Sequence, residues 1–327
     1  MISSIVYIYI IAALSIAMAY GIAAVVATAS HRRAEREESF TNQYLQEIIT
    51  ALTQSPHALI CEDRSDIYTS PYHIKASSRT RRIALAKAIY ITMSHTYSTP
   101  KDLIRPLSLE HRLERLLLRE LEHSNTAGKV KILNIMSTIP LEHSTTEHLS
   151  SYLYSHNRHI RIAALVAILA AAPARAIHTI ADLPYRLAPY DLSRIVALLS
   201  RGLLPIAYEP LLASDNTNLL MLGIAIVRNF GIEIADRHLY RIVSEQHSPA
   251  VIREAIYTLA SLGSTLEQQP IIEQLATMQP TLRRELCHHL CCEGYSATAL
   301  RGLFPDEELQ HSEPLINSYK RNLIWQQ

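Results

Sequence analysis

Apolar residues recur three and four positions apart along most of this chain, the period of a helix with one buried face. Ser4 to Ala29 breaks the pattern with 26 consecutive residues that carry no charge. At the helical rise this run covers about 39 Å, enough to cross a ~30 Å hydrocarbon core with some tilt. Its length, and the lack of a basic region before it, favour a retained transmembrane helix over a cleaved leader. Arg32, Arg33 and Arg36 follow at once. By the positive-inside rule they set the topology, with the N-terminus outside and residues 31–327 in the cytoplasm. Ala13, Ala17 and Gly21 form a row of small residues at four-residue spacing, a pattern that lets two membrane helices pack closely.

After the run, residues 31–41 are charged and of mixed sign, suiting a solvated collar or helix extension. Asn42 to Thr53 predicts an amphipathic helix through Tyr44, Leu45, Ile48, Ile49 and Leu52. Gln54 to Ser77, with Pro56 and Pro71, reads as a long connection. Helices are then predicted over 80–93, 108–123, 129–139, 145–154, 158–172, 174–187, 192–203, 208–213, 233–245 and 265–278. The 158–172 segment is apolar almost all round and predicts a buried inner helix. Phe304 to Gln310 reads as an acidic turn, and Ser312 as the cap of a last helix that ends near Trp325.

Three segments share one design: Asn216 to Gly231, Ser248 to Gly263 and Gln279 to Gly294. Each opens on a turn or cap, carries an apolar face and ends on glycine, where a left-handed C-cap belongs. Spacings of 32 and 31 residues between the glycines mark a repeat, and this period predicts stacked helical pairs. With only 8 Gly in 327 residues, and no alternating β-branched runs, the fold class is all-α. The expected organisation is an anchor (1–30), a juxtamembrane helix and linker (31–77), an α-solenoid (78–303), and a capping helix and tail (304–327).

The openings Ile160-Arg161 and Ile252-Arg253, followed by Ala and Leu at helical spacing, resemble the short, PBS-lyase-type HEAT-like repeats. Leu282-Arg283 departs from that opening, and Leu219-Leu220 has no arginine. The resemblance implies a right-handed superhelix that works as a binding scaffold.

A formal net charge of +1 argues against a general polyanion binder, so no nucleic-acid partner is expected. The four cysteines do not form a disulfide framework, which fits a reducing compartment. Cys287, His288, Cys291 and Cys292 place thiols and an imidazole at i,i+4, which can offer two ligands to zinc. A tetrahedral site needs two more, and Cys287 and Cys291 fall in core register, so core packing is the stronger reading and no metal or other cofactor is expected. Arg79, Arg81, Arg82 and Lys87 form a basic cluster that reads as a solvated face, or else as a surface for anionic headgroups. No P-loop, GxGxxG or GxSxG is present. The sequence therefore predicts a non-enzymatic, membrane-tethered scaffold that presents its repeats to a protein partner in the cytoplasm, with a small-molecule substrate unlikely. The alternatives are an accessory subunit of a membrane enzyme or envelope-assembly complex (polysaccharide synthesis or secretion) and, more weakly, a metal-dependent enzyme.

Overall fold

Glycine is scarce and proline falls mostly between the apolar segments, so the chain folds as helix after helix. A computed structural model describes residues 2–54, 74–95, 101–172, 175–199, 207–310, 312 and 314, though not every side chain within the helices. Every regular element among them is helical, and none is a strand. The chain divides into two compact units, Met1–Ala171 and Ala172–Gln327.

The first unit opens with α1 (Ile2–Gln54), followed by α2 (Arg79–His95), α3 (Lys101–Glu110), α4 (Leu113–His123), α5 (Thr126–Met136), α6 (His143–Ser150), a 3-10 turn over Ser151–Tyr154, and α7 (Arg158–Ala171). The predicted apolar run, collar and amphipathic helix are therefore one continuous helix. No proline interrupts residues 2–54, and Gly21 is the lone glycine there. Among the described residues no helix is long and apolar enough to cross a membrane, and most side chains of the run 4–29 fall outside the description. Tyr44 and Ile48 of α1 are buried against α2, and the Tyr44 hydroxyl donates to the Lys75 carbonyl at 3.0 Å. α7 buries ten of the eleven residues from Ile160 to Ala170, so it is enclosed almost all round, as an inner helix should be.

One predicted helix splits. Residues 108–123 break at Arg112, which enters the left-handed region at φ 49°. That conformation costs about 1–2 kcal/mol without glycine. It lets Leu107 and Leu113 both reach the core, while the His111 ring nitrogen Nε2 bonds the Ile74 carbonyl at 2.9 Å. Leu109 is left exposed as a result.

The second unit holds α8 (Ala176–Ala181), α9 (Pro189–Leu199), α10 (Glu209–Leu212), α11 (Thr217–Phe230), α12 (Asp236–Ser244), α13 (Pro249–Ser261), α14 (Gln269–Thr277), α15 (Pro280–Cys292) and α16 (Ala297–Leu300). α11, α13 and α15 pack in succession as one layer, and α10, α12 and α14 as a second. The three closing glycines take positive φ: 61° at Gly231, 76° at Gly263 and 93° at Gly294. Each makes the paired C-terminal hydrogen bonds of a left-handed cap. At Gly263 these are Ser264 N to Leu259 O (3.0 Å) and Gly263 N to Ala260 O (2.9 Å).

Residues 174–187, predicted as a helix, are helical only to Ala181, because Pro184 cannot continue it. Two asparagines take over the freed backbone. Asn216 Nδ2 donates to the Ala181 carbonyl (3.0 Å) and Asn218 Nδ2 to the Tyr185 carbonyl (2.9 Å), while Asn218 Oδ1 accepts from Leu187 N–H at 2.9 Å. The predicted acidic turn at 304–310 is instead helical over residues 306–310 and buries Phe304, Glu308 and Leu309. The expected last helix and Trp325 lie outside the described residues.

Candidate functional site

Counting back from the closing glycines places Glu254 and Glu285 at one register position, nine residues before Gly263 and Gly294. On stacked helices equal register means equal height, so the two carboxylates stand on neighbouring turns of α13 and α15. Arg253 lies between them. Its Nη2 donates to Glu254 Oε1 at 2.9 Å, and its Nη1 donates to Glu285. From the other side Arg228 of α11 donates to Glu254 Oε2 at 2.8 Å. The three inner helices are thus cross-linked by a line of alternating charge, with Arg253 and Glu254 both buried.

Aromatic groups cover this line. The Arg228 guanidinium lies 4.9 Å from the centre of the Tyr257 ring, and the His289 ring lies 5.2 Å from the same centre. Burial, with the hydrogen bond to Glu293, pushes the Tyr257 phenol up to about 12. Burial also holds the His289 imidazole below its ordinary value, against the opposing pull of Glu254. The ladder continues at Arg283, whose Nε donates to the buried Glu308 at 2.9 Å. Glu254 and Glu308 are each held by a guanidinium, so these buried charges are paired within the fold. Where α11 ends, Phe230 and Ile234 flank Gly231 and stand exposed, Ile234 at 80%.

The cysteines separate by depth. Cys287 and Cys291 are buried, and Cys292 is exposed. Burial raises both buried thiols, Cys291 to about 11, and the Ser312 hydroxyl donates to the Cys287 sulfur at 3.6 Å. His288 is turned toward His289, their ring centres 6.3 Å apart. Among the described residues no three His, Cys, Asp or Glu side chains converge as metal ligands would.

The predicted basic cluster is largely occupied within the protein. Arg79 makes a two-pronged contact with Glu120 at 2.6 and 2.7 Å, and Lys87 pairs with Glu37. The Arg81 guanidinium covers the Phe40 ring at 4.9 Å, and the Arg82 Nε is buried. Arg32, Arg33 and Arg36, predicted only as topology signals, line a cleft with Phe40, Ser78 and Thr80. The side chains of Ala13 and Ala17, and the surroundings of Gly21 in the same row, fall outside what the structure describes.

Sequence reasoning did not single out Arg228, Glu254 or Glu285. The shared register of the two glutamates was the available signal. Comparison with known protein families, with curated proteins and with solved structures found no match to this chain.

Proposed function

We propose that this chain is a membrane-tethered, HEAT-like repeat scaffold without catalytic activity, anchored through residues 4–29 and holding a protein partner at the cytoplasmic face. The observation that carries the reading is the constant register of α11, α13 and α15, each closed by a left-handed glycine and joined to the next by the Arg–Glu line. A scaffold needs a surface that keeps its shape, and this cross-linking supplies one. Phe230 and Ile234 provide exposed apolar contacts where α11 meets α12. For the anchor, Met18, Ile22 and Val25 are each more than half exposed on one face of α1. The basic flank from Arg32 to Arg36 supports a topology with residues 31–327 on the cytoplasmic side.

Two measurements test the reading. Membranes washed in alkaline carbonate should retain the chain, and its release would sink the anchor. Exchange of residues 4–29 for an unrelated membrane helix should leave partner co-purification intact, whereas Ile234→Asp should weaken it. Loss of the partner on helix exchange, with Ile234→Asp harmless, would make the protein a subunit held through its membrane helix.

A further inference from the structure

Between the first helix and the start of the second lies an open cleft of about 800 Å³, lined by Ala29, Arg32, Arg33, Arg36 and Phe40 of α1 and by Ser78 and Thr80. The α1 residues are three, one, three and four positions apart, so they form one helical face. Following that face backward meets Val25, Ile22 and Met18, exposed at 69, 61 and 68%. An uncovered apolar stripe therefore leads directly into a cluster of guanidinium groups.

The carboxylates nearest in sequence, Glu35, Glu37 and Glu38, make no ion pair with that cluster among the described residues. Glu37 is taken by Lys87, Glu120 by Arg79, and Glu35 faces His31 at 3.4 Å. Among the described residues none of the three arginines has a carboxylate partner. A fourth guanidinium, Arg81, lies over the Phe40 ring at 4.9 Å. The first turn of α2 also opens here, with the Ser78 hydroxyl accepting from Arg81 N–H at 3.2 Å. Its free amides add to the positive potential.

We propose that this cleft binds a phosphate-bearing anion, and that the ligand is the headgroup of an acidic phospholipid whose acyl chains lie along the Met18–Ile22–Val25 stripe. Planar guanidinium forks match phosphate oxygens two at a time. The volume admits a headgroup with its glycerol, and the apolar stripe gives the acyl chains a path that a free anion would not use. The choice of lipid as source rests on the membrane reading above, whereas the anion site itself does not.

The test uses the full chain in neutral detergent. Native mass spectrometry reads retained phosphatidylglycerol against phosphatidylcholine, with inorganic phosphate as competitor and carbonate extraction of membranes run in parallel. Phosphatidylglycerol should be retained selectively. Arg33→Gln/Arg36→Gln should lower its retention about twenty-fivefold, from about fivefold for each arginine near an acidic surface. Arg115→Gln/Arg119→Gln, which removes the same charge from the exposed face of α4, should leave retention unchanged. Equal loss in both double variants, or equal retention of the two lipids that inorganic phosphate does not disturb, overturns the site. If the chain nonetheless resists carbonate, the membrane reading survives that failure. Displacement by millimolar inorganic phosphate, with no lipid selectivity, keeps the anion site and overturns the lipid as its source. Release by carbonate removes the membrane reading and the lipid with it.

Discussion

Arg228 and Glu254, 26 residues apart in sequence, meet at 2.8 Å across the α11–α13 packing, and the same carboxylate holds Arg253 on its other oxygen. One buried acid thus satisfies two guanidinium groups on two helices. Removing it leaves Arg228 without its counter-charge and Arg253 with only the exposed Glu285, in a place water reaches poorly, which costs more than the pair contributes when intact. Glu254→Ala should therefore destabilise the fold by about 3 kcal/mol, the order found when one partner of a buried pair is deleted. The comparison is Glu120→Ala, which frees Arg79 on a surface where that arginine is 55% exposed. That change should cost about 0.5 kcal/mol. Urea denaturation of the two variants decides it. Similar midpoints for both would mean that the Glu254 site is wetter than its burial implies.

Gly263 offers a cleaner test of backbone strain, because nothing lies within 4 Å of where a Cβ would stand. Gly263→Ala meets no clash, so its entire cost is the left-handed φ of 76°, about 1–2 kcal/mol. Gly302 also has open space around it, and its φ is not positive, so Gly302→Ala should change stability by less than about 0.5 kcal/mol. A neutral Gly263→Ala would remove the argument that the repeat glycines serve as caps.

These glycines also mark what the sequence made legible. Spacing alone located Gly231, Gly263 and Gly294 as helix ends, and all three adopt the left-handed conformation. Apolar periodicity likewise identified α7 as a buried helix. The misreadings fall where a long-range contact decided a local conformation. The break at Arg112 accompanies the burial of Leu107 and Leu113 and the bond from His111 to Ile74, 37 residues away. Pro184 ends α8 locally, but the path beyond it is held by Asn216 and Asn218, more than 30 residues downstream. The basic cluster at 79–87 looked free because Glu37 and Glu120 approach it only in the folded chain. Local pattern carries the helices, and tertiary pairing decides which of their charges remain available.

His289 predicts a specific acid sensitivity. Its Nδ1 is buried without a hydrogen-bond partner among the described residues, and burial holds the ring below its ordinary value of 6.5. Glu254 and Glu285 pull it up, and Arg253 and His288 push it down, but desolvation dominates. The unfolded chain therefore takes up the proton first as pH falls. Stability contributed by the neutral ring is complete well above pH 6.5 and declines on acidification through that value, levelling off below the folded-state value. His289→Phe keeps an aromatic ring against Tyr257 and removes the titration. Its stability should fall less than that of the parent chain between pH 7 and pH 5. Parallel pH profiles for the two proteins would assign the acid sensitivity elsewhere.

The thiols report on both packing and placement. Cys287 and Cys291 are buried, with burial raising both and carrying Cys291 to about 11, so almost no thiolate forms on them near neutral pH. Cys292 is exposed on the same helix. In a Cys61→Ser variant one equivalent of maleimide should react at pH 7, at Cys292, with the other two thiols appearing only on denaturation. Two or more fast equivalents would mean that α15 opens readily and that the Cys287–Cys291 face is not core. The same label then tests the topology in cells expressing the variant. With residues 31–327 on the cytoplasmic side, a membrane-impermeant maleimide should spare Cys292 in intact cells and modify it after permeabilisation. Full modification in intact cells would place the repeats outside and invert the assignment drawn from Arg32, Arg33 and Arg36. Because the reagent reads one exposed thiol on a helix whose other cysteines are silent, a positive signal cannot come from partial unfolding without raising the equivalent count in the first experiment.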